Sequence, residues 1–442
     1  MLNITGRALK LGLVAALFAT TTQAGPLPQP ASDKDYHAFP PDMIELGRDL
    51  FFDPILSGNK NIACATCHHP SLGTSDAMSL SIGEGGLGLG ADRKADAGNR
   101  PQDRIPRNAP ALFNLGAKEF TVMFHDGRTA KDRHAMFGIR MPEGRTLERP
   151  VASPLAAQNI LPILSPAEMA GHPGENEIAD AVAEERIMGP DGAWDLLARR
   201  VQAITEYRER FKSLGTSDIH ITDIGTALSA FIGSEFRADQ SPFDRYLAGD
   251  TDAMTAQELA GMDLFYGKAR CSTCHTGTFQ TDHDFHAIGL PQFGPGKLDY
   301  ADTGLGMVSG EADDMYRFRT PTLRNVTQSA PYGHNGAYSN LEDIVRHHLN
   351  AVQGLAQYDR NAALLPSDID GADDWKAMDD FDEVMRIAEA IEISIIKMEE
   401  DEIAKIMSFL GALTDEGVIE RGLGVPASVP SGLEMDLVLP PS

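Results

Sequence analysis

Apolar positions recur with a helical period along several stretches of this chain, and no segment of any length shows the strict alternation of a half-buried strand. Glu45-Leu46-Gly47-Arg48-Asp49-Leu50-Phe51-Phe52 and Glu258-Leu259-Ala260-Gly261-Met262-Asp263-Leu264-Phe265-Tyr266 both read as amphipathic helices. Thr255 and Glu258 add a capping box at the start of the second. A third apolar-periodic stretch runs from Ile221 to Phe236. The strongest helical period extends from Trp375 to Leu413, where Glu402 to Leu410 reads as a closing helix. Gly83 to Arg104, rich in glycine and charge, reads as a surface loop, and the Pro-rich end after Gly424 as a tail. The expected fold class is mainly α.

The beginning of the chain follows a different pattern. Arg7 and Lys10 precede the apolar run Leu11 to Ala19, and Thr22-Gln23-Ala24 offers small residues for cleavage. This is the pattern of a secretory signal peptide over residues 1–24; its apolar run is well short of the roughly 20 residues that cross a bilayer. The expected mature protein starts near Gly25, has no membrane span and resides in the periplasm. At 442 residues, 42 % hydrophobic and 23 % charged, the chain is long enough for two compact domains. Its formal charge of −26 excludes nucleic acid and anionic membranes as partners, since both would repel it. A basic protein partner, or solubility alone, accounts for the acidity.

In an oxidising compartment four cysteines would ordinarily pair as disulfides. Here all four fall in two copies of C-x-x-C-H, Cys64-Ala65-Thr66-Cys67-His68 and Cys271-Ser272-Thr273-Cys274-His275. Two thiols about a helical turn apart suit thioether bonds to the vinyl groups of a haem, and the adjoining His suits the iron. A redox-active C-x-x-C pair and half of a zinc site are the competing readings. Neither accounts for a His following both times.

The surroundings of the motifs repeat as well. Arg107-Asn108-Ala109-Pro110-Ala111-Leu112-Phe113-Asn114 leads to His125-Asp126-Gly127-Arg128, and Arg319-Thr320-Pro321-Thr322-Leu323-Arg324-Asn325 leads to His334-Asn335-Gly336-Ala337. Two cytochrome c-like haem domains are expected, over 25–245 and 246–424, with their boundary between Asp239 and Thr251 and a tail over 425–442.

With these residues in view the chain resembles the bacterial di-haem cytochrome c peroxidases and their relatives of the MauG type, from about Glu45 to Leu413. The most specific matches are Leu50-Phe51-Phe52-Asp53-Pro54 with Leu56-Ser57-Gly58, Arg107 to Pro110, and Thr322-Leu323-Arg324-Asn325 through Tyr332-Gly333-His334-Asn335-Gly336. The resemblance implies two covalently bound haem c groups. The N-terminal one, on Cys64, Cys67 and His68, would be peroxidatic, and the C-terminal one, on Cys271, Cys274 and His275, would transfer electrons. It further implies Gln158 and Glu168 as the peroxidatic pair, with Glu168 the acid-base. The activity implied is reduction of hydrogen peroxide with electrons from a small periplasmic donor, a c-type cytochrome or a cupredoxin, and a homodimer is a possible assembly.

Three departures from the family's pattern bear on that reading. Where many members place a removable His over the peroxidatic iron, this chain reads Ser81-Ile82-Gly83-Glu84-Gly85, so that iron is expected to be open or water-bound; Glu84 is either a pocket acid or a solvent-facing loop carboxylate. The axial Met of the second haem falls on His348, with His347 one position away, and no Met occurs between Met315 and Met378. A nitrogen ligand there lowers the potential and moves the chemistry toward MauG-like oxidation of a protein or organic substrate. The Trp found between the haems in many members is His125, which counts against radical transfer to a protein. The resemblance also implies a calcium ion held by Asn108 and by backbone carbonyls near Ser329 and Pro331, although Asn108 also suits a turn before Ala109-Pro110. A non-catalytic electron carrier with both irons six-coordinate is the alternative of a different class.

Overall fold

The structure, a computed structural model, describes residues 27–436, so the segment expected to be a signal peptide lies outside the described residues. Helices dominate. The strands are hairpin pieces of two or three residues, such as Gly86–Leu87 with Lys94–Ala95 and Phe285–His286 with Phe318–Arg319. Among the described residues no helix is long and apolar enough to cross a membrane.

Two helix pairs organise the chain. Pro41–Phe52 packs across Ile221–Glu235, and Ala256–Tyr266 packs across Glu400–Ala412. Thr255 caps the third of these helices as expected, its hydroxyl accepting from Glu258 N while the Glu258 carboxylate accepts from Thr255 N. Both crossings use a glycine at the same point. A Cβ on Gly47 would lie 1.9 Å from the Ala227 carbonyl oxygen, and one on Gly261 would lie 1.9 Å from that of Lys405. Phe231 and Phe409 take matching places beside these glycines, and Phe51 and Phe265, each four residues after its glycine, are buried against them.

The downstream echo also has a structural meaning. Asn114 donates its backbone N–H to Phe236 O, and its side chain accepts from Ala238 N and donates to Ala238 O. Asn325 does the same at the end of the second pair, with Leu413 O, Asp415 N and Asp415 O. Each Asn closes the helix that ends its half of the chain, in a left-handed backbone conformation that Asn tolerates better than most residues. Core membership changes between Ala238, in the first hydrophobic cluster, and Phe243, in the second. The segment between them enters the short helix Pro242–Leu247, whose Asp244 pairs with the fully buried Arg324.

Three expectations from the sequence need correction. The helical period from Trp375 to Leu413 is not one helix: it forms Lys376–Asp379, Phe381–Ala390 and Glu400–Ala412, with non-helical chain over 391–399. Ile391 turns inward there to pack against Gly289, and Ile396 donates its N–H to Leu349 O. The stretch Gly83 to Arg104 is not simply a surface loop, because residues 80–86 are buried. Arg93 turns inward and donates to the carbonyls of Ile82, Gly83 and Gly88. Finally, the chain after Gly424 is a strap rather than a free tail. Val429 joins the first core, Ser431 donates from both its hydroxyl and its N–H to the buried Asp53, and Asp436 accepts from the Thr66 hydroxyl inside the first C-x-x-C-H.

Candidate functional site

Both C-x-x-C-H motifs sit on a single helical turn, Cys64–Cys67 in the first and Cys271–Thr273 in the second. All four thiols are free, and burial pushes Cys64 and Cys271 up to about 12. A redox-active C-x-x-C needs the opposite shift, toward thiolate, so the dithiol reading loses its physical basis. The two histidines are oriented alike. His68 Nδ1 bonds Thr74 O at 3.0 Å, and the His68 ring also meets the Pro110 carbonyl; His275 Nδ1 bonds Gln280 O at 3.2 Å, and the His275 ring also meets that of Pro321. In each case Nε2 has no partner among the described residues. Burial depresses both imidazoles, His275 to about 4 with help from His348, so both are neutral and able to bind a metal.

The second motif has an opposing imidazole. The His275 and His348 ring centroids are 6.4 Å apart. Two imidazoles bonded to one metal ion at about 2.0–2.1 Å would be separated by roughly that distance. His348 Nδ1 is fixed by Ile344 O at 2.8 Å, leaving Nε2 without a partner among the described residues. His347 is committed at both nitrogens, Nδ1 to the Tyr338 hydroxyl at 2.9 Å and Nε2 to Ile288 O at 2.8 Å. Helical geometry explains the difference: adjacent residues point about 100° apart, so only one of the two can face His275.

No ring lies against His68 in this way among the described residues. His69 is buried and bonded to Ser71, His125 bonds Asp302 at 2.9 Å, His134 is exposed beside Arg133, and the His172 backbone is tied to Glu175. Carboxylates stand near the first motif instead. Glu168 lies on the turn Pro166–Ala170, close enough to Cys67 to raise that thiol's pKa. Burial raises Glu168 itself above the ordinary carboxylate value, against the pull of Lys297 and Arg128. Gln158 ends the helix Pro154–Gln158, and its Oε1 is a buried acceptor without a partner.

Glu84 is not solvent-facing. It is 2 % exposed, and its Oε1 accepts from the side-chain amides of Asn59, Asn61 and Asn99 at 2.8–3.0 Å, while Oε2 is buried and unpaired. Its backbone N–H donates to Ala167 O at 2.9 Å, and Gly83 packs so closely on the same turn that a Cβ would lie 2.2 Å from that oxygen. The sequence did not anticipate this asparagine cradle, because three amides 38 to 40 positions apart at most carry no local signal. Asn108 donates through Nδ2 to Met78 O at 2.7 Å, which leaves its Oδ1 free, and neither the Ser329 nor the Pro331 carbonyl accepts a backbone hydrogen bond among the described residues.

The profile of the family described as di-haem cytochrome c peroxidase matches residues 41–252. The chain is 32 % identical over 305 residues to the cytochrome c551 peroxidase of Nitrosomonas europaea, covering 69 % of this chain and 72 % of that protein. This chain belongs to the di-haem cytochrome c peroxidase family. A second relative, the methylamine utilization protein MauG of Methylorubrum extorquens, is 29 % identical over 341 residues, covering 76 % of this chain and 75 % of its own. The fold is also that of a MauG-like protein associated with microbial copper homeostasis, with a TM-score of 0.56 at 24 % identity over 91 % of this chain and 97 % of the other. Membership of the peroxidase family implies haem c as cofactor, and neutral imidazoles beside two thiols on one helical turn fit that group at both motifs.

Proposed function

We propose that this protein is a periplasmic di-haem peroxidase that reduces hydrogen peroxide to water, with electrons from a small redox protein passing through the C-terminal haem to the N-terminal one. When bound, haem c supplies redox-active iron at each motif. The observation that carries the reading is the asymmetry between the motifs: an imidazole faces His275 at metal-bridging distance, whereas no ring lies against His68 among the described residues and the Glu168 carboxylate stands within electrostatic reach of Cys67. In this reading His275 and His348 close the second site for electron transfer, and the first stays open for peroxide.

Each residue's role follows from its chemistry. Thr74 and Pro110 hold His68, and Gln280 and Pro321 hold His275, so each keeps Nε2 free for the metal. Glu168 takes the proton from one peroxide oxygen and delivers it to the other, which leaves as water; two electrons and two further protons from solvent turn the remaining oxygen into the second water. Gln158, with its unpaired oxygen, orients peroxide through a hydrogen bond. Glu84 is held by its three amides and steadies the turn that carries Glu168. A calcium ion would take the free Oδ1 of Asn108 with the Ser329 and Pro331 carbonyls, an oxygen-only set that suits a hard cation. The His348 imidazole also favours a second reading, oxidation of a protein or organic substrate as in MauG-type chemistry, because nitrogen ligation stabilises the more oxidised iron.

Electron paramagnetic resonance of the ferric protein, before and after peroxide, tests the proposal alongside a peroxidase assay. One high-spin and one bis-imidazole low-spin haem, with peroxide consumed without prior reduction, is the expected result. Two low-spin haems inert to peroxide would instead establish an electron carrier.

A further inference from the structure

A line of aromatic rings leads away from His348. His347 lies beside His348 with ring centroids 6.3 Å apart, and Tyr338 lies beside His347 at 5.4 Å. Tyr358 stands edge-on to Tyr338 at 5.5 Å, and Trp375 follows Tyr358 at 6.1 Å. Every step is within the range of directly packed rings. Tyr338 is buried, whereas Tyr358 and Trp375 are half-buried, so the line opens to solvent at its far end.

The polar contacts along the line differ from ring to ring. Ile288 O can only accept, so the His347 Nε2 that meets it at 2.8 Å carries the ring proton, and Nδ1 accepts from the Tyr338 hydroxyl at 2.9 Å. The Tyr338 phenol therefore has a base on its proton. The Tyr358 hydroxyl donates to the Ala337 carbonyl, which is no base for it. Trp375 packs on Phe293 at 5.2 Å, and the Arg360 guanidinium over its ring is paired with Asp379, which offsets the charge.

Tyrosine and tryptophan lose one electron far more readily than phenylalanine or neutral histidine. Tyrosine does so only where its proton has somewhere to go, a condition that Tyr338 meets and Tyr358 does not; an indole can give up the electron and keep its proton. Electron tunnelling weakens steeply with distance, so two oxidisable stations with a ring between them carry charge further than one long step. We propose that Tyr338 and Trp375 form an electron relay, with the Tyr358 ring as its bridge, through which a small phenol at the surface supplies electrons toward His348 for the reduction of peroxide. This inference rests on the two-haem peroxidase reading and extends its second form, oxidation of an organic substrate. Only part of the Trp375 ring is exposed, which suits contact with a small molecule rather than a protein face.

The relay balances as follows from its contacts. Tyr338 gives an electron inward while its proton moves along the hydrogen bond to His347 Nδ1; an electron from Trp375 then restores it, and the proton returns. The oxidised indole takes an electron from the surface phenol, which releases its proton to water and leaves as a phenoxyl radical. Two such passages turn one hydrogen peroxide into two waters, and the two protons that the phenols release match the two that peroxide takes up.

The test uses the holoprotein, its covalent haems counted by the pyridine haemochromogen spectrum, mixed with hydrogen peroxide without donor and freeze-quenched for electron paramagnetic resonance. An organic radical is expected whose lines narrow when the tryptophans carry ring deuterium. The chain has two tryptophans, and Trp194 is buried in the first half with its indole N–H bonded to Ile160 O. The narrowing should therefore be kept in Trp194→Phe and lost in Trp375→Phe and in Tyr338→Phe. Peptide mass spectrometry of the wild-type sample should find oxygen added at Trp375, and guaiacol, the phenol used as probe, should suppress both the radical and that product. A radical indifferent to deuterium or to guaiacol, or a narrowing that persists in either relay variant with two haems bound, would overturn the relay and leave the proposed function standing. A wild-type protein with fewer than two haems, or one that leaves peroxide unconsumed, would overturn both.

Discussion

In the proposed function, Glu168 and His348 concentrate the chemistry at the scale of single residues. Burial raises the Glu168 carboxyl above its ordinary value, and only the deprotonated form can accept a proton from peroxide. Peroxide turnover should therefore fall as pH drops through this raised pKa. Glu168→Gln should lower kcat by roughly 10²- to 10⁴-fold, the usual worth of a positioned acid-base, and abolish that acidic limb while leaving the ferric spectrum unchanged. His348→Met would put a thioether where an imidazole faces His275. The low-spin haem should then shift upward in potential by a sizeable part of the roughly 0.8 V that axial ligation spans, measurable by spectroelectrochemistry. The choice between His347 and His348 could not be made from the sequence. It depends on Tyr338 and Ile288, nine and fifty-nine positions away from His347, which occupy both of its ring nitrogens.

The repeated helix pairs make a prediction at the scale of elements. Gly47 and Gly261 let two helices approach so closely that a side chain would run into the partner's backbone carbonyl. Gly47→Ala should therefore destabilise the first half by about 1–3 kcal/mol, the usual cost of overpacking a core, seen as an earlier thermal loss of the first haem's signal. These helices were legible in the sequence because amphipathic period and capping are local properties. Where the sequence reading erred, at 391–399 and at 83–104, contacts outside any periodicity decided the outcome: Ile391 against the distant Gly289, and Arg93 turned in on carbonyls of its own loop.

For the whole molecule, the C-terminal strap links the end of the chain to the first haem motif. Asp53 is fully buried and accepts from Tyr207 and Ser431, while Asp436 accepts from Thr66. Truncation after Gly424 leaves Asp53 short of donors, at a cost of about 1–3 kcal/mol. In a thermal melt the first haem's absorbance should be lost at a lower temperature than in the full chain, with the second haem's transition unchanged. The seam between the two halves contributes at the same scale, since Asp302 and His334 come from the second half yet hold Arg107 of the first.

The sequence by itself determined the two C-x-x-C-H motifs, the helical class and the internal repeat, because each is written in short spacings: C-x-x-C-H, a period of 3.6, and Asn114 matched by Asn325. Only the tertiary structure decided which imidazole faces His275 and that Glu84 is buried beneath three amides. Those properties depend on which distant groups share a low-dielectric space and satisfy one another's hydrogen bonds, and chain spacing does not encode that.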